Sequence, residues 1–211
     1  MKGLCLNIIL FAFELIGIIL SILSNHKFLD FKYYTNLSNV LCLFSSLFFI
    51  VCYFYKSRAL KKIMLLLKLI STTGLAITII TVLFVLGPNG ARNSGINGYL
   101  NYLFPKGLLF LHLLCPILSI ISFIRFENNS ILNKPIYYIL SACYTFIYGI
   151  IVITLVYFKI ISAPYFFLDS INLGYLLTFI LGLIFVAVSS LISFLLLYLN
   201  KRRYSKEIMF V

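Results

Sequence analysis

Six runs of apolar residues, each close to the length that crosses a bilayer, alternate with short polar segments along the chain. The runs cover residues 4–24, 35–55, 63–86, 108–124, 136–158 and 173–199. About 20 apolar residues in helical form span roughly 30 Å of hydrocarbon. The pattern therefore predicts an all-α polytopic membrane protein, a single domain of six transmembrane helices over residues 1–211. The breaks carry their own signals. A basic cluster (Lys56, Arg58, Lys61, Lys62) separates the second and third runs, and the Gly-, Pro- and Asn-rich stretch 87–98 predicts a loop after the third. Lys2 followed by an apolar run has the outline of a signal peptide. Glu14 interrupts that run and no small-residue cleavage site follows, which predicts an uncleaved first helix.

Composition sharpens this picture. Of 211 residues, 63% are apolar and only 10% charged. A soluble chain cannot bury so much apolar surface, and a disordered one needs low hydrophobicity. The net charge of +12 invites a nucleic-acid reading until its distribution is examined. With both termini inside, 11 basic residues fall in cytoplasmic segments and 5 (Lys27, Lys32, Arg92, Lys106, Lys159) in outer loops, with Lys68 within the third run. That bias predicts an N-in, C-in topology; no nucleic-acid partner is implied. Lys68, one to two turns from its helix end, is expected to snorkel to the headgroups. Tyrosines near the span ends, among them Tyr33, Tyr34, Tyr55, Tyr137, Tyr138, Tyr157, Tyr175 and Tyr198, are expected to form the interfacial belt, since the chain has no Trp. Five cysteines lack CxxC spacing, and the two histidines, His26 and His112, have no supporting carboxylate cluster. Neither a metal nor another cofactor is expected.

Candidate chemistry lies in the polar residues that interrupt the apolar runs, because polar groups in a bilayer are costly. In the second run Thr35, Ser38, Asn39, Cys42 and Ser46 fall at i, i+3, i+4, i+7 and i+11. They make one stripe on a helix of period 3.6, facing the bundle interior or a wet cavity. A structural reading makes Thr35 an N-cap and the remainder interhelical contacts. His112 lies one turn into the fourth run with Pro116 four residues later, so the His112 carbonyl has no α-helical donor and a kink is expected. Glu14 falls mid-helix, and Asp169 ends an aromatic loop segment. Thr35 and His112 both lie near the outer ends of their helices, differing in depth by about 6 Å. A hydroxyl and an imidazole within reach of one another form a nucleophile–base pair, and Asn39, one turn below, is placed to donate to an oxyanion.

Phe31-Lys-Tyr-Tyr-Thr-Asn-Leu-Ser-Asn39 resembles the F-x-Y-F-T-x-x-S-N approach to the second helix in the androgen-induced-gene family, chiefly its bacterial six-helix branch. His112-Leu-Leu-Cys-Pro116 resembles that family's H-x-x-x-P block. Pro164-Tyr-Phe-Phe-Leu-Asp169 with Gly174-Tyr175 resembles its outer-loop block, and Pro135, Tyr138 and Tyr148-Gly149 its fifth-helix block. Asn36-Leu37 stands where relatives often have Ile-Gln. The resemblance implies an intramembrane threonine hydrolase of fatty-acyl esters in a multi-pass protein of a bacterial plasma membrane, with membrane lipids or lipid esters as substrate. It places the nucleophile on Thr35 and the base on His112. Asn39, Ser38, Asp169 and Glu14 are candidate supporting residues, and Asp169, Asp30 or Glu14 is the carboxylate expected to orient His112. A small transporter or channel lined by Glu14, Lys68 and His112 is the alternative, and a structural membrane subunit a third reading.

Overall fold

A computed structural model describes residues 2–25, 29–55, 58–132 and 134–209. His26, Lys27 and Lys56 lie outside the described residues. The helices in chain order are α1 (Lys2–Asn25), α2 (Tyr34–Phe54), α3 (Arg58–Thr81), α4 (Gly87–Leu100), α5 (Cys115–Arg125), α6 (Ile136–Tyr157) and α7 (Tyr175–Met209). A π-helical turn, Val82–Leu86, joins α3 to α4, and another, Phe110–Leu114, leads into α5. No strand occurs among the described residues, and six helical stretches are long and apolar enough to cross a membrane. The chain is an all-α, six-span protein, and its third apolar stretch runs on through the π turn to Leu100.

The central helix is α3, with 67% of its most apolar window buried, against 17–44% for the other five. Residues 71–78 are buried without interruption, the mark of a helix enclosed on all sides. Each residue turns about 100° from the last, so three successive hydroxyls reach three neighbours. Ser71 Oγ meets Ser45 Oγ of α2 at 2.8 Å, Thr72 Oγ1 meets Ser119 Oγ of α5 at 2.7 Å, and Thr73 Oγ1 meets Ser193 Oγ of α7 at 2.9 Å. In hydrocarbon, where burial of apolar side chains drives little association, such pairs contribute roughly 0.6–2 kcal/mol each. Gly74 lets α2 approach closely: a Cβ there would lie 2.7 Å from Ser38 Oγ.

Three expectations are corrected here. The Gly- and Asn-rich stretch is helical rather than a loop, broken only at Ser94 and Gly95. Gly95, at φ +60° and ψ −153°, occupies a region open to glycine alone, and the chain folds back on itself there. The two halves then meet backbone to backbone. A Cβ on Gly90 would lie 2.5 Å from the Gly98 carbonyl oxygen, and one on Gly98 would be closer still to that of Gly90. Low helix propensity is overridden by this contact, which no larger residue permits. The second correction concerns Lys68, which is fully buried and does not snorkel. Its Nζ lies 3.9 Å from Glu127 Oε1, with both side chains shielded from solvent, and donates to Ser46 Oγ at 3.4 Å. Glu127 follows α5 and turns back into the bundle, where Asn7 and Ser122 also donate to Oε1 at 3.0 and 2.8 Å. A buried cation finds its counter-ion more cheaply there than by stretching to the interface. The tyrosine belt also loses members, since Tyr34 and Tyr137 are buried in the core.

Both π turns stand immediately before an X-Pro pair, Gly87-Pro88 and Cys115-Pro116. Gly87 N–H donates to the Val82 carbonyl and Cys115 N–H to that of Phe110. Proline supplies no donor and crowds the carbonyl four residues earlier, and the helix widens by one residue to relieve it. The carbonyl of Leu83 then faces Pro88 without a donor, and Tyr99 Oη supplies one at 3.1 Å. The kink expected at Pro116 is therefore a widened turn, and it carries His112.

Candidate functional site

The first turn of α2 sets the position of Thr35. A helix start leaves backbone N–H groups without intrahelical partners, and here tyrosines from elsewhere accept them. Tyr34 N–H donates to Tyr148 Oη of α6 at 3.1 Å, and Thr35 N–H to Tyr165 Oη of the α6–α7 loop at 3.4 Å. Tyr148 Oη in turn donates to the Lys32 carbonyl at 2.6 Å. The cap position is Tyr33, with no side-chain cap bond. Thr35 is thus not an N-cap, and its hydroxyl is free of that duty.

The whole α2 stripe is buried: Thr35, Ser38, Asn39, Cys42 and Ser46 are all shielded. Its members have different partners. Thr35 borders a cavity of about 40 Å³ shared with Thr78, Thr81, Thr145, Tyr148 and Tyr165 and floored by Phe167 and Phe185. That volume admits about one or two waters. Ser38 Oγ meets Tyr144 Oη at 3.3 Å, and Tyr34 Oη meets Thr145 Oγ1 at 2.9 Å. Asn39 Nδ2 donates to the Thr35 carbonyl at 2.7 Å, while its Oδ1 has no partner. One amide hydrogen of Asn39 is therefore bound into the backbone.

Tyr165 takes its place beside the nucleophile candidate. Its hydroxyl neighbours both the amide and the side chain of Thr35, and its ring is held edge-on to Tyr33 and stacked on Phe167. Burial pushes its phenol up to about 12, so it is a proton-bearing donor throughout the physiological range. The aromatic loop drew attention in the sequence for its carboxylate; the residue that reaches the site is the tyrosine.

His112, on the π turn, is 8% exposed. Its Nδ1 lies 2.7 Å from the Tyr102 carbonyl oxygen. A carbonyl only accepts, so Nδ1 carries the proton and Nε2 of the neutral ring keeps its lone pair. A main-chain carbonyl therefore orients the imidazole, and none of the three candidate carboxylates does. Asp169 instead closes its own loop. Its Oδ1 accepts from the N–H groups of Ile171 and Asn172 and its Oδ2 from Asn172 Nδ2 at 2.5 Å. Those bonds hold its carboxyl below the usual range. Asp30 pairs with Lys32 at 3.4 Å. Glu14 is fully buried beside the thiols of Cys42 and Cys115 and makes no hydrogen bond of proper geometry.

No hydrogen bond joins Thr35 to His112 among the described residues, and His112 does not line the 40 Å³ cavity. The π turn does pack against α2. A second, larger feature is an open groove of about 640 Å³ lined by Phe31, Leu37, Ile147, Ile151 and Leu155, with Lys32 and Asp30 also at its wall. Tyr148 lines both groove and cavity. Compared with known proteins, the chain matches no family model, no curated sequence and no solved structure.

Proposed function

We propose that the protein is an intramembrane hydrolase of lipid fatty-acyl esters, in which Thr35 is the nucleophile and His112 the base. The observation that carries this reading is the fixed tautomer of His112. Its Nδ1–H is committed to a backbone carbonyl at 2.7 Å, which leaves Nε2 as a proton acceptor inside an apolar bundle. The family resemblance of the α2, α5 and loop blocks supports the same pair. Catalytic hydrogen bonds are often long in a free enzyme and tighten when substrate binds.

In this reading the acyl chain lies in the open groove, and its ester carbonyl passes Tyr148 to reach Thr35. Thr35 Oγ1 attacks the carbonyl carbon as its proton moves to His112 Nε2. The C=O π electrons move onto oxygen, and Tyr165 Oη donates a hydrogen bond to that oxyanion. Collapse re-forms the C=O and breaks the ester C–O bond, with His112 returning its proton to the departing alkoxide. Water, deprotonated by Nε2, then attacks the Thr35 acyl ester, and the same proton goes back to Thr35 Oγ1 as the fatty acid leaves. The ester's polar remainder sits beside Lys32.

Purified protein in detergent, given a long-chain fatty-acyl ester, should release fatty acid. Thr35→Ala and His112→Ala should release none while remaining folded. A transporter is the second reading, favoured by the buried Lys68–Glu127 pair and the hydrogen-bond-free Glu14, since charges inside spans commonly mark ion paths. Solute flux in liposomes without ester cleavage would select it.

A further inference from the structure

We infer that the opposite end of the bundle carries a binding site for an anionic glycerophospholipid, with phosphatidylglycerol as the headgroup of best fit. This site is separate from Thr35 and does not depend on the hydrolase reading. A groove of about 650 Å³ runs between the 128–135 segment and the last turns of α7. Lys134 and Lys201 line it from its two sides, both exposed, and Phe194 and Leu197 form an apolar wall along α7. The shape suits a lipid: two cations at headgroup level and an apolar track leading away along a spanning helix.

The segment that forms one wall is preorganised. Asn200 Nδ2 donates to the carbonyls of Phe123 and Glu127 at 2.7 and 2.8 Å, and Asn129 Nδ2 donates to the same two carbonyls at 3.2 and 3.0 Å. These bonds tie the start of the 128–135 segment to α7, the two walls from which Lys134 and Lys201 project. Asn129 also lines the groove, is 3% exposed, and has an Oδ1 without a hydrogen-bond partner. A buried acceptor left unmatched calls for a donor. A glycerol headgroup brings hydroxyl donors beside its phosphate, whereas a choline headgroup brings neither a hydroxyl nor net charge.

Charge around the groove agrees. Lys62 and Lys134 line an adjoining cleft of about 530 Å³, and Glu127 is buried against Lys68.

The test is native mass spectrometry of the purified full chain with phosphatidylglycerol or phosphatidylcholine of identical acyl chains. Phosphatidylglycerol should bind the wild type far more tightly. Lys134→Gln/Lys201→Gln should lose about thirtyfold of that affinity, at roughly five- to sixfold per lysine. Lys61→Gln/Arg125→Gln, which removes the same charge outside the groove, should stay within about twofold of wild type. Equal losses in the two double variants would overturn the proposal, because surface charge alone would then explain the binding. So would equal binding of the two lipids. Free glycerol phosphate competing as well as the lipid would overturn the lipid assignment in favour of a soluble phosphate ligand.

Discussion

Both ends of the bundle bury polar groups, and they use them differently. At the Glu127 end an amine, a carboxylate and several amides are directed at one another: Lys68, Ser46, Asn7, Ser122 and Glu127 form one network, and Asn129 and Asn200 tie the neighbouring backbone. At the Thr35 end the groups are neutral hydroxyls around a space, with His112 Nε2 making no hydrogen bond among the described residues. The first arrangement fixes a fold. The second leaves hydroxyls and an imidazole nitrogen uncommitted, which the proposed hydrolase chemistry would use. A buried polar residue in a membrane protein is thus a functional candidate chiefly where its neighbours have not consumed its hydrogen-bonding capacity.

Breaking the Thr35 end should act on turnover and spare the fold. Thr35→Ala and His112→Ala should each lower ester turnover by roughly 10⁴–10⁶-fold, and the double variant should be little worse, since the two act as one unit. Melting temperatures in detergent should stay near wild type. Ser38→Ala and Cys42→Ala should retain turnover; a collapse in either would move the nucleophile to another point on the α2 stripe.

Breaking the Glu127 end should do the reverse. Lys68→Met leaves Glu127 buried without its cation and should destabilise the protein by about 3–5 kcal/mol, read by denaturant unfolding in mixed micelles. Adding Glu127→Gln to Lys68→Met removes the orphaned charge and should recover much of that loss. Failure to recover would mean that the ion pair is not the stabilising unit.

Much of this contrast was legible in the sequence, and the illegible parts have physical reasons. The six spans follow from apolar runs that match bilayer thickness, and the burial of the α2 stripe follows from its 3.6-residue period. The helical hairpin at 87–100 was hidden because Gly and Asn disfavour helix locally, and only the Gly90–Gly98 approach makes them necessary. The Lys68–Glu127 pair was hidden because Glu127 belongs to a connecting segment whose return into the bundle has no periodic signature. The group that orients His112 left no trace at all: a main-chain carbonyl is the same at every residue. Tyr165 lies in an aromatic-rich segment in which no spacing distinguishes it from its neighbours.

Smaller perturbations sharpen the site further. Tyr165→Phe removes the hydroxyl proposed as oxyanion donor while keeping the stacked ring, and should lower turnover by roughly 10²–10³-fold with the substrate's KM little changed. Gly98→Ala drives a methyl into the Gly90 backbone and should cost about 1–3 kcal/mol of stability. Asp169→Asn should leave turnover unchanged at neutral pH. Its carboxyl is held low by Asn172 and Ile171, so the small stability it lends exists above the ordinary carboxyl range and fades as pH falls through its lowered value. Comparing the melting temperatures of wild type and Asp169→Asn across that range checks the sign.

The most direct test of the central claim is to label the purified protein with a lipid-like fluorophosphonate and identify the modified peptide. The adduct should fall on Thr35, vanish in Thr35→Ala, persist at reduced yield in Thr35→Ser, and be strongly diminished in His112→Ala. An adduct on any other residue, or ester turnover undiminished in Thr35→Ala, would contradict the assignment of Thr35 as the nucleophile.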